Sequence, residues 1–81
     1  MGDADREDEQ HQRRHVAMHE RAAVVHDQAA RMHRRAAEFF DEHNRPEEAD
    51  RERGLAAREA AEAEAERSEA AAELGDLPPH P

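Results

Sequence analysis

Between Val16 and Phe40 the chain repeats one arrangement of apolar and polar positions. Met18, Val25, Met32 and Phe39 recur every seven residues. So do Ala22, Ala29 and Ala36, and so do Ala23, Ala30 and Ala37, with Val16 ahead of them. On an α-helix of about 3.6 residues per turn, these columns lie side by side and form one apolar arc. His19, His26 and His33 keep the same interval. Their column ends in Phe40 and falls between the two alanine columns. The opposite side carries Arg14, Glu20, Arg21, Asp27, Arg34 and Arg35. From Glu9 to His43 there is neither Pro nor Gly, and the strong helix formers Ala, Arg, Glu and Gln dominate. The pattern predicts a helix over 9–43.

The pattern breaks at Asn44-Arg45-Pro46. Asn tolerates the left-handed conformation that ends helices. Pro46 suits the first turn of a new helix, and Glu47 and Glu48 suit its positive end. A second seven-residue pattern follows. Ala49, Ala56, Ala63 and Ala70 form one column, Glu52, Glu59, Glu66 and Glu73 another, and Gly54, Ala61, Ser68 and Gly75 a third. This predicts a helix over 46–74, stopped at Gly75, since the following Leu77-Pro78-Pro79 cannot continue it. Two helices joined by so short a break, 44–45, must fold back on each other. The column containing Gly54 is expected to face the first helix, because small residues let helix backbones approach closely. A strict repeat of seven implies a left-handed, coiled-coil-like crossing. The expected fold is all-α: an antiparallel αα-hairpin over 9–74 with Ala-rich packing. An acidic flexible lead (1–8) precedes it and a Pro-rich tail (75–81) follows.

Composition adds a problem of burial. Large apolar side chains are few, and the second helix offers little besides Ala, Leu55 and Leu74. Such a core hardly offsets chain entropy in a domain of 81 residues. Part of the stripe made by Met18, Val25, Met32, Phe39 and Phe40, with Ala22, Ala29 and Ala36 beside it, is expected to stay uncovered. A second copy or a protein partner would complete the burial, in a groove or as a four-helix bundle.

Charge narrows the partners. The formal net charge of −9 argues against nucleic acid, which wants a basic footprint, and against anionic membranes. No stretch approaches a transmembrane span. The N-terminus has no apolar run and no myristoylation pattern at Gly2. These features predict a cytoplasmic protein. Arg as the sole basic residue beside His, with abundant Ala, hints at a GC-rich bacterial genome. Arg13, Arg14, Arg21, Arg31, Arg34 and Arg35 make the first helix the more basic one, which favours antiparallel docking on the acidic second helix, although each exposed pair contributes only about 0–1 kcal/mol.

The chemistry on offer is limited. There is no Cys, the glycines form no phosphate loop, and a two-helix hairpin has no cleft to exclude water. No enzyme activity is expected, and no cofactor. The alternative is a transition metal, zinc, nickel or copper, held by His11, His15 and His19. These share one helical face at steps of four residues. His19, His26 and His33 instead read as interface residues that titrate near neutrality. Two arrangements are open. Neutral rings between alanines would have lowered pKa values. Rings facing the Glu52, Glu59 and Glu66 column would have raised ones. The acidity of the second helix favours the latter.

The run His19-x-x-Ala22-Ala23-x-x-His26-x-x-Ala29-Ala30-x-x-His33-x-x-Ala36-Ala37, followed by Asn44-x-x-Glu47-Glu48-Ala49 and Ala at seven-residue spacing, resembles small bacterial proteins of unknown function. Those are His- and Ala-rich helical hairpins with H-x-x-A-A repeats. The resemblance covers about 15–72, and the second helix here lacks the histidines those proteins often carry. The hairpin also looks like a single tetratricopeptide-type unit, though one unit is not an array. The resemblance implies the hairpin fold and no catalytic residue. The function expected from all this is that of a small non-catalytic helical interaction protein, an adaptor or accessory subunit.

Overall fold

Where the seven-residue pattern breaks, Asn44 takes φ 58°. That single left-handed residue ends α1 (Asp3–Glu42) and turns the chain into α2 (Pro46–Asp76). The N–H of Arg45 donates to the Phe40 carbonyl at 2.8 Å and that of Asn44 to the Asp41 carbonyl at 3.3 Å. This is the Schellman pattern, which satisfies carbonyls that a helix end would otherwise orphan. The Arg45 guanidinium lies 5.1 Å from the centroid of the Phe40 ring. The His43 ring donates from Nδ1 to the Phe39 carbonyl at 2.7 Å and stacks on the Phe39 ring. Pro46 then opens α2, with Glu47 and Glu48 in its first turn. Phe40 therefore belongs to the turn and is half-buried there, set apart from the exposed stripe of Met18, Val25, Met32 and Phe39.

The structure, a computed structural model, describes residues 3–77. The expectations for Gly2 and for the tail from Pro78 onward lie outside the described residues. Within them the fold is all-α, two long helices packed antiparallel into a rod of 65 × 18 × 14 Å. Among the described residues no helix is long and apolar enough to cross a membrane.

The seam between the helices consists of small side chains. Val16, Ala23, Ala30 and Ala37 of α1 meet Ala49, Ala56, Ala63 and Ala70 of α2, and Ala49 and Ala63 are 0% exposed. Each step of seven residues up α1 is matched by a step of seven down α2. The alanine column beside the histidines thus makes the core, and the Met18 stripe lies on the far side of α1, facing away from α2.

Three boundaries and faces differ from the sequence expectations. α1 begins at Asp3 and not at Glu9, so the acidic lead is helical from that point. Nothing in Asp3–Asp8 breaks a helix, and acidic side chains favour its positive end. α2 runs through Gly75 to Asp76, and no glycine among the described residues has positive φ. The stop is Leu77, extended at φ −82°, ψ 141°, as suits a residue that precedes proline. Gly54 does not face α1. It is exposed, and a Cβ added there would meet nothing within 4 Å. The Ala49 column takes the seam instead, because the columns beside it carry Glu and Arg side chains long enough to reach across to α1.

Gly54 is consequently a helix glycine with no packing duty within the hairpin. Gly54→Ala is expected to stabilise the hairpin by about 0.5–1 kcal/mol. Thermal unfolding followed by circular dichroism at low micromolar concentration checks this. A fall in melting temperature would show that the glycine serves some contact or bend.

Candidate functional site

The histidine column of α1 and the glutamate column of α2 flank the alanine seam on one side and meet as rungs. The His26 ring donates from Nδ1 to Glu59 Oε2 at 2.6 Å, and His33 from Nδ1 to Glu52 Oε2 at 2.6 Å. His19 Nδ1 donates to Glu66 Oε2. Glu62, exposed on the next turn of α2, stands 3.2 Å from His26 Nδ1. The period of seven on both helices makes these rungs repeat. A ring at one column position on α1 always finds a carboxylate at the matching position on α2.

The rungs are half-buried, which strengthens their electrostatics relative to open water. The hydrogen bond to Glu66 raises the pKa of His19. Partial burial opposes this, and the charges of Glu66, Glu73 and Glu69 add to the rise. His26 is raised in the same way by its hydrogen bond to Glu59, against partial burial, with help from the charges of Glu59, Glu62 and Glu66. Of the two arrangements open in the sequence, the rings take the one facing the carboxylates.

The other flank of the seam carries arginine bridges. Arg53 donates to Asp41 at 2.7 Å and to Asp50 at 2.5 Å. Arg67 donates to Asp27 at 2.8 Å and to Glu64 at 3.3 Å. Asp50 and Glu64 lie one turn back on α2 itself, while the bridges to Asp41 and Asp27 cross between the helices. These two run from arginines of the acidic helix to acids of the more basic one, opposite to the sense of the bulk charge. Helix-wide charge averages over faces, and only the residues beside the seam can pair across it.

At the open end of the hairpin the ladder changes. The α1 position that should carry the fourth ring holds Gln12. His15, from the next turn, reaches the fourth glutamate instead and donates from Nδ1 to Glu73 Oε1 at 2.7 Å. His19 Nε2 stands 3.9 Å from the same oxygen. The ligating atoms of His15, His19 and Glu73 all lie within 4.8 Å of one another. Glu73 Oε2 is buried and accepts no hydrogen bond. Of the three histidines that the sequence grouped, His15 and His19 converge. His11 does not: it is exposed, its ring centroid 6.4 Å from that of His15. One helix cannot wrap three histidines spaced four apart around a single point, so the third ligand comes from α2. Sequence reasoning missed Glu73 in this role. The missing histidine at position 12 was the signal that could have found it.

Met18, Val25, Met32 and Phe39 form an exposed stripe along the outer edge of α1, Met32 reaching 67% exposure. Ala22, Ala29 and Ala36 lie half-buried between this stripe and the histidine ladder. An open groove beside Met32 is lined by Gln28, Arg31 and Arg35.

The chain is thus a two-helix hairpin, closed on an alanine seam and braced by a histidine–glutamate ladder. No protein-family model, no curated protein and no solved structure matches it.

Proposed function

We propose that this is a non-catalytic helical interaction protein that acts through the Met18, Val25, Met32 and Phe39 stripe, and that the occupant of the stripe is α2 of a second copy. The observation that carries the reading is an apolar stripe left exposed along a rod whose own seam is almost entirely alanine. Burial of such side chains supplies about 25 cal/mol per Å², which the single hairpin forgoes.

The outer face of α2 supports a second copy as the occupant. Gly54, Ala61 and Ser68 form an exposed small-residue column on the edge of the rod away from α1. Large side chains fit beside small ones when helices pack. Continuing the register of the hairpin sideways sets Met18 toward Ser68, Val25 toward Ala61 and Met32 toward Gly54. The rims then agree in charge. Arg21 comes toward Glu64 and Arg35 toward Asp50, all four exposed. Pairing two α1 stripes instead would bring Arg21 and Arg35 against their own copies. An interface between different faces is open-ended unless rotation closes it, so the product is a row of hairpins or a ring.

Sedimentation equilibrium from micromolar to hundreds of micromolar tests this. The wild type is expected to associate with concentration, while Met32→Glu and Ala61→Arg are each monomeric or nearly so. Mixed together they should form one-to-one dimers, since each retains the face the other has lost. A wild type monomeric throughout would overturn the reading. A wild type that associates, with a mixture that does not, would overturn the second copy's α2 as the occupant.

A further inference from the structure

We propose that His15, His19 and Glu73 form a binding site for one divalent transition-metal ion of the zinc type, stapling α1 to α2 at the open end of the hairpin. The site rests on a departure from the repeat. The rungs at His26 and His33 offer one imidazole each, to Glu59 and Glu62 in the first case and to Glu52 in the second. Among the described residues, only at Glu73 do two imidazoles meet one carboxylate, because Gln12 has vacated the regular position and His15 has come in from the next turn. Two imidazoles and one carboxylate are a donor set suited to zinc, with the fourth position left to water.

The orientation of the rings favours metal over protons alone. His19 gives its Nδ1–H to Glu66, which leaves Nε2 turned toward Glu73. A ligating histidine commonly has this arrangement, its other ring N–H held by a carboxylate that fixes the tautomer and raises ligand basicity. The separations are close to what an ion needs. Donors at about 2.0–2.2 Å from a tetrahedral centre stand about 3.3 Å apart. The two nitrogens lie 2.7 and 3.9 Å from Glu73 Oε1, so small torsional changes in exposed or half-buried side chains bring all three to that spacing. Glu73 Oε2, buried without a hydrogen bond, gives the carboxylate a second oxygen to offer the ion.

The ligands come from both helices, so the unfolded chain has no preformed site, and an ion bound here stabilises the hairpin by mass action. The test is titration of Zn²⁺ into the full chain by calorimetry in a non-chelating buffer, with thermal melts in Zn²⁺ and in chelator. The expected result is one ion per chain, proton release on binding and a higher melting temperature in Zn²⁺. Glu73→Gln and His15→Ala should each weaken binding at least about tenfold, and Glu66→Gln by about 10–100-fold. His11→Ala should match the wild type. Circular dichroism monitors helicity. If Glu73→Gln loses helicity, His15→Ala decides, since that ring is half-exposed and lies off the alanine seam. No saturable heat and no melting shift in the wild type would overturn the site. So would binding that survives both Glu73→Gln and His15→Ala, or that disappears in His11→Ala.

Discussion

Ala63→Leu is expected to lower the melting temperature of the hairpin by roughly 5–20 °C. Ala63 is 0% exposed and sits in the seam with Ala23 across from it. The seam has no large side chain that can move aside, and its only residue bigger than alanine is Val16. Three added carbons must therefore separate the helices or twist into a poor rotamer. Overpacking of this kind costs about 1–3 kcal/mol, and two helices have little else to compensate. Separation of the helices would also lengthen the rungs on either side, at His19–Glu66 and His26–Glu59, so the loss should spread beyond one position. Circular dichroism melts of Ala63→Leu and of Ala65→Leu, an exposed position on the same helix, make the comparison. Equal melting points would mean that the alanine seam is not what holds the helices together.

A melting temperature higher at pH 6 than at pH 8 is the second expected result, measured in the presence of chelator. His19 and His26 both have folded-state pKa values raised above the usual 6.5, first of all by their hydrogen bonds to Glu66 and Glu59. Folding therefore takes up protons near neutrality. A group whose pKa is raised in the folded state contributes stability that is fully present below its unfolded value. That stability is lost as pH rises through the folded value. The window for these two rings opens at about pH 6.5 and extends upward. Protonation also reduces the magnitude of the net charge of −9, which acts in the same direction through weaker self-repulsion. Replacing His26 with Gln should flatten the dependence, and replacing His19 and His26 together should flatten it further. A melting point indifferent to pH, or higher at pH 8, would mean that the rings stand neutral against the glutamates and contribute as hydrogen-bond donors only.

Much of this hairpin could be read in the chain because its cues are local or strictly periodic. Asn44 before Pro46 marks the turn through backbone chemistry alone. Columns with the same period on two antiparallel helices must meet repeatedly once they meet at all, which is why the sequence itself pairs the His19 column with the Glu66 column. Periodicity does not say which of several small columns turns inward. Small size alone points to the Gly54 column, whereas the seam takes the Ala49 column, because flanking Glu52, Glu59, Arg53 and Arg67 reach across it in a way that depends on the angle at which the helices pack. Glu73 as a partner of both His15 and His19 was hidden for a related reason. A ligand set drawn from two helices appears only when the register is known, whereas His11, His15 and His19 shared a face that was visible on one helix. α1 starts at Asp3, ahead of the expected Glu9, because a run of acidic residues has the composition of a solvated lead and yet is favoured at a helix N-terminus.

The position of the turn at one end and of both helix termini at the other has a mechanical consequence. A load applied between Asp3 and Asp76 pulls across the rod and not along it. It concentrates on whichever rung is outermost, opening Glu73 from His15 and His19 first, then Glu66, Glu59 and Glu52 in succession toward Asn44. Parting in this order proceeds as unzipping, at low and nearly constant force. The same hairpin gripped at Asp3 and Asn44 would be stretched along α1, and the whole length of backbone hydrogen bonding would resist together.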